Sequence, residues 1–176
     1  MRRLFHEFYV QPMFSVYIEA LAMYTVWTIF MLILKNDKTK RVAGILGAAG
    51  AIALIFCFTI LNRSSGSRAH NLIPFITFIN AKTQPELYRS MFMNLMLFLP
   101  LGLSLPFALP DKIKHKALIT VLTGFLISAS VEAAQFAFCL GYGETDDVIM
   151  NTAGCVIGAT SFLLCGLMNK TISAER

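Results

Sequence analysis

The sequence predicts an all-α integral membrane protein, a bundle of about five transmembrane helices with an interfacial or re-entrant segment near residues 71–80. Three observations carry that expectation. Hydrophobic residues make up 56% of the 176 and charged residues 14%, against roughly 45–50% and 25% in soluble domains. The apolar residues are gathered into blocks of about 20, the length that crosses a bilayer core as a helix. Most of the 15 Lys and Arg residues flank those blocks, where they set topology and meet lipid headgroups. A net charge of +5 distributed in this way argues against a nucleic-acid partner.

The first span is Met13 to Leu34. Arg2 and Arg3 precede it as in a signal peptide, but its apolar core is too long and no small-residue cleavage site follows. The second is Val42 to Leu61, with Gly44, Gly47, Ala48 and Ala51 forming one small face. The third, Met91 to Leu109, is interrupted by Pro100 and Pro106. Each proline lacks an N–H and crowds the carbonyl four residues back, so a kink with free carbonyls at Met96 and Gly102 is expected. The fourth is Ala117 to Leu140. The fifth, Val148 to Met168, carries Gly154-x-x-x-Gly158, a spacing that lets helices approach closely, within the chain or between copies in a homo-oligomer.

Between the second and third spans, 62–90 opens with a polar stretch, Arg63 to Arg68. The apolar run Leu72 to Ile79 that follows is too short to cross. Thr83-Gln84-Pro85-Glu86 has capping-box spacing, which predicts a helix from near Gln84 running into the third span. The chain thus divides into two amino-terminal spans and a polar linker (1–70), a three-span core (71–168) and a short cytoplasmic tail (169–176). One side holds Lys35, Lys38, Lys40, Arg41, Lys112, Lys114, Lys116, Lys170 and Arg176; the other holds Arg2, Arg3, Arg63, Arg68, Lys82 and Arg89. That bias predicts an outward amino terminus and a cytoplasmic carboxyl terminus.

Glu132 is the one charged residue between Ala117 and Leu140. An ionisable side chain at membrane depth costs about 2.5–3.5 kcal/mol and is by default a functional residue. Gln135 and Ser128 share its helix face. Asp147 and Asn151, four apart, share a face of the fifth span, and Asn94 stands near the start of the third. The predicted topology brings Glu132, Gln135, Asp147, Asn151 and Asn94 into one half of the membrane, the outer one. Simpler roles exist for each. Asp146 and Asp147 suit the capping of their own helix, Asn94 and Gln135 suit hydrogen bonds between helices, and Glu132 suits a latch to Asn151 or Arg89. His6, His70 and His115 lie outside the apolar blocks, and Cys57, Cys139, Cys155 and Cys165 lie within them as small hydrophobes. Neither a metal site nor a cofactor is read from this pattern.

Four pieces in order resemble the VanZ-like family of small bacterial membrane proteins: Asn71-Leu72-Ile73-Pro74-Phe75; Asn94 to Gly102; Ser130 to Gln135; and Asp146 to Gly154, followed by Gly158. The resemblance picks out Asn71, Asn94, Glu132, Gln135, Asp146, Asp147 and Asn151 as ligand-binding candidates. Many members carry an arginine and a further aspartate before the acidic pair. Here the stretch reads Gly141-Tyr142-Gly143-Glu144, so Glu144 stands for the aspartate, and a cation would have to come from Arg63, Arg68 or Arg89. The family is named for association with resistance to teicoplanin, a lipid-tailed glycopeptide. The resemblance therefore implies a cell-envelope role in the plasma membrane of a bacterium, in antibiotic resistance or envelope homeostasis.

Recognition of an amphiphile fits these residues best. The partners expected are membrane lipids and a lipoglycopeptide or lipid-linked cell-wall precursor. The alternative is an intramembrane enzyme on a lipid-linked envelope substrate, with Glu132 as general base and Asp146 and Asp147 holding a divalent cation. Recognition is preferred because no nucleophile or firm metal site stands beside Glu132. A proton-coupled carrier using Glu132 is a third reading, disfavoured because no internal repeat is visible.

Overall fold

The computed structural model describes residues 13–61, 69–71, 73–84, 86–140 and 142–174. Helix α1 is Met13–Ile33. Helix α2 is Asp37–Phe56, extended by a π-helical turn over Cys57–Leu61. Strand β1 (Ala69–Asn71) leads to a short helix α3, Ile76–Asn80. Helices α4 (Glu86–Ala108) and α5 (Lys116–Ala137) follow. Strand β2 (Tyr142–Glu144) then enters α6, Thr145–Ala174. The two strands pair in parallel, with Ala69 beside Tyr142 and Asn71 beside Glu144. Apart from that short ladder and the turns between elements, the described chain is helical.

Among the described residues, four helices are long and apolar enough to cross a membrane: α2 with its π turn, α4, α5 and α6. In α1 the apolar stretch Tyr17–Ile33 is shorter than those four. Leu21, Leu46, Leu126 and Leu167 are each more than 60% exposed on outer helix faces, a surface suited to acyl chains rather than water. The segment after β1 does not cross; it makes the five-residue α3, with Ile73, Phe75 and Ile79 exposed.

Helix α4 is the centre of the bundle. Half of its most apolar stretch is buried, against 22% of that of α5. Small residues admit its neighbours. A Cβ on Gly158 would lie 2.6 Å from Leu103 N and Leu99 O, and one on Gly44 would lie 2.5 Å from Ala108 N. Gly154 meets the backbone of Leu95 and Leu99. The Gly154-x-x-x-Gly158 face therefore packs on α4 within the chain, and the small face of α2 packs on the other side of α4. Ala48, Ala51, Ile55, Phe98, Leu101, Val131 and Cys155 form the main core, to which α2, α4, α5 and α6 all contribute. Helix α1 docks through polar bonds: Trp27 Nε1 donates to Leu103 O at 2.8 Å, and the hydroxyls of Thr28 and Ser161 lie 2.9 Å apart.

Several boundaries differ from the sequence reading. Asn36 accepts from Lys38 N–H and starts α2 well before Val42. The expected capping box does not form. Helix α4 begins at Glu86, and Thr83 Oγ1 donates to Asn80 O, closing the turn after α3. Helix α4 runs through Pro100 and Pro106. The added donors reach Phe98 O, from Cys155, and Leu103 O, from Trp27, rather than the two carbonyls expected to be freed. Helix α5 ends at Ala137, not near Leu140, because Cys139 turns left-handed at φ 54°. Leu140 N–H then bonds Gln135 O and Cys139 N–H bonds Phe136 O, the Schellman pattern usually built on glycine.

Candidate functional site

The polar residues gather at the end of the bundle where α4 and α6 begin and α2 and α5 finish. Glu132 is five residues from the end of α5, roughly 7.5 Å at 1.5 Å per residue. Its Oε2 accepts from the backbone N–H of Glu144 at 3.0 Å. That bond ties α5 to the strand entering α6, so the latch at Glu132 reaches Glu144 by this bond. Asn151, an expected partner for it, instead donates from Nδ2 to Ser128 Oγ at 2.8 Å. The spacing that put Ser128 on the face of Glu132 is realised in that bond.

Asp146 is 2% exposed, and both of its oxygens are used. Oδ1 accepts from Phe75 N–H at 2.6 Å and Oδ2 from Thr77 N–H at 2.7 Å. Phe75 is the residue before α3, held left-handed at φ 65° and without a capping side chain of its own. The first N–H groups of a helix need acceptors, and Asp146 supplies them from another helix. This corrects the expectation that Asp146 caps the start of its own helix. It also bears on the divalent-cation role, since Asp146 would have to release both N–H groups to ligate one. Glu144 reinforces the same joint, with Thr77 Oγ1 3.4 Å from its Oε2.

Asn94 Nδ2 donates to Asp147 Oδ1 at 2.5 Å, joining α4 to the first turn of α6. Gln135 is 1% exposed and donates from Nε2 to Thr59 O at 3.1 Å, in the π turn. Two acceptors remain open: Gln135 Oε1 and Asn151 Oδ1 are buried without a hydrogen-bond partner. Asn71 is placed by its backbone beside Glu144; the role expected of its side chain lies outside the described residues. Arg63 and Arg68 also lie outside them, whereas Arg89 is partly buried in the first turn of α4, at this same end. Among the described residues, no group of three or more His, Cys, Asp or Glu is placed to hold a metal.

Thr59, Phe75 and Thr77 belong to this joint and are not singled out by sequence. One signal points to the last two. A Pro-Phe entry into a short helix has no capping side chain of its own, so its orphan N–H groups must find an acceptor elsewhere.

Apolar spans of crossing length and a polar joint buried among their ends define a multi-pass helical membrane protein. The chain belongs to the VanZ/LLP1 family, whose profile matches residues 45–166. That span contains every expected site residue and begins within α2, ahead of the pieces quoted above. No curated protein and no solved structure matches the chain.

Proposed function

We propose that this protein binds an amphiphile at the polar end of its bundle, with the head among the residues around Glu132 and the tail along the lipid-facing helices. The observation that carries this reading is the pair of open acceptors, Gln135 Oε1 and Asn151 Oδ1. A buried acceptor without a partner costs about 1–3 kcal/mol, so a ligand donating hydroxyl or ammonium hydrogens to it gains that amount. Four carboxyl groups, Glu132, Glu144, Asp146 and Asp147, stand at this end with Arg89. That balance favours a donor-rich or cationic head. Ile55, Phe98 and Val131 floor the region with buried apolar surface.

With the Lys and Arg bias, this end faces outward, and the carboxyl terminus is cytoplasmic. A lipoglycopeptide such as teicoplanin, or a lipid-linked cell-wall precursor, has the required combination of amine, hydroxyls and tail. The proposed role is therefore envelope protection by recognition in the bacterial plasma membrane. The test is a deletion strain complemented with wild type, Glu132→Gln or Glu132→Ala and challenged with teicoplanin and vancomycin in parallel. Protection should follow the lipid tail, persist in part with Gln and vanish with Ala. Equal protection against both antibiotics, or full protection from Ala, would sink the proposal.

A further inference from the structure

We infer that the opposite end of the bundle holds a second site, for the phosphodiester headgroup of an anionic phospholipid. A cavity of about 140 Å³ opens there between the start of α2, the end of α4 and the end of α6. Lys40, Arg41 and Lys116 bring three cations to its wall, and Asp37 and Asp111 bring two carboxylates. Three minus two leaves +1, the complement of one phosphodiester.

The carboxylates do not occupy the cavity equally. Asp111 is 86% exposed and pairs with Lys116 at 2.8 Å; Asp37 is exposed in the first turn of α2. Lys40 and Lys116 are both partly buried, with 12% of the Lys116 side chain exposed, whereas Arg41 is exposed. Phe107 and Phe162 meet edge to face at 5.2 Å in the cavity wall. Both pack in the second apolar cluster, around Met31 and Cys165. A charged cavity resting on an apolar cluster at the end of spanning helices has the position of a lipid headgroup site.

A groove indicates a lipid rather than free phosphate. A second cavity of about 440 Å³ shares Lys116 and Phe162 with the first and continues between Ile113, Leu118 and Leu163. Leu118 and Leu163 are 57% and 52% exposed, so the groove faces the bilayer. A headgroup held by Lys40, Arg41 and Lys116 would lay an acyl chain along it. Lys116 spans both parts, its ammonium 5.8 Å from the centre of the Phe162 ring. This end carries most of the basic flanks, so the site belongs to the cytoplasmic leaflet, where anionic lipid attracts about 1 kcal/mol per Lys or Arg.

The test is native mass spectrometry of the full chain in detergent, titrated separately with phosphatidylglycerol, phosphatidylcholine and inorganic phosphate. Wild type should retain one phosphatidylglycerol in preference to phosphatidylcholine and ignore millimolar phosphate. Lys40→Gln with Arg41→Gln should lower that preference by about 25-fold, roughly fivefold for each cation. Lys112→Gln with Lys114→Gln removes the same charge from exposed positions on the same side and should leave the preference intact. Asp111→Asn releases Lys116 and should raise it. All these positions are exposed or partly so, and thermal unfolding in the same detergent checks that each variant folds. Equal retention of the two lipids would overturn the proposal, as would an equal loss in the two double variants. Competition by inorganic phosphate alone would show a free-anion site and overturn the lipid assignment.

Discussion

Replacing Asp146 with alanine strips the acceptor from two backbone N–H groups, those of Phe75 and Thr77. Leaving such donors buried costs about 1–3 kcal/mol each, so Asp146→Ala should lose about 2–6 kcal/mol in reversible unfolding in detergent. Asp146→Asn keeps one acceptor oxygen and should lose less; equal losses would deny the two-oxygen cap. Cys139 presents the opposite case. It occupies a left-handed position at φ 54° that favours glycine, so Cys139→Gly should stabilise the protein by about 0.5–1 kcal/mol. At the other end, the Lys116 ammonium holds the Asp111 carboxyl below its ordinary 3.8. A lowered pKa adds stability above the unfolded value, and this is lost as pH falls through the folded one. Because Asp111 is exposed, Asp111→Asn should shift the unfolding midpoint at neutral pH by no more than experimental scatter.

Helix packing places its largest demand on Gly158. Its would-be Cβ falls 2.6 Å from backbone atoms of Leu99 and Leu103, which cannot turn aside as a side chain can. Gly158→Ala should cost about 1–3 kcal/mol by overpacking. Gly50→Ala and Gly166→Ala meet nothing within 4 Å and should gain up to about 1 kcal/mol from helix propensity. Parallel melting curves of the three variants check both claims. The helices themselves were legible in the sequence because burial in lipid demands a long apolar run, and Gly154-x-x-x-Gly158 announces close packing. Their ends were less legible. Asn36 opens α2 with a polar first turn that hydropathy ignores, and Cys139 terminates α5 in a left-handed turn usually made by glycine. Polar residues at the joint were visible as misplaced polarity in apolar blocks, Glu132 above all. The partners of Glu132, Gln135 and Asp146 were not, because Glu144 N–H, Thr59 O and Phe75 N–H are backbone groups that only the folded chain brings near.

Across the whole molecule the two ends differ in kind. One gathers Glu132, Glu144, Asp146 and Asp147 with buried amides; the other gathers Lys40, Arg41 and Lys116. The orientation proposed above puts the basic end in the cytoplasm. A carboxy-terminal fluorescent fusion should therefore be bright and a phosphatase fusion at the same place inactive; the reverse result inverts the topology and moves the acidic joint to the cytoplasm. The acidic joint is proposed to recognise a tailed, donor-rich head. The most direct test is binding of teicoplanin and its deacylated form to purified protein in nanodiscs, with empty nanodiscs as the baseline. Wild type should bind the tailed form above that baseline, and Gln135→Leu and Glu132→Ala should each weaken binding at least about tenfold, the effect of losing about 1.4 kcal/mol. Binding no stronger than to empty nanodiscs, or unchanged in both variants, would contradict the account.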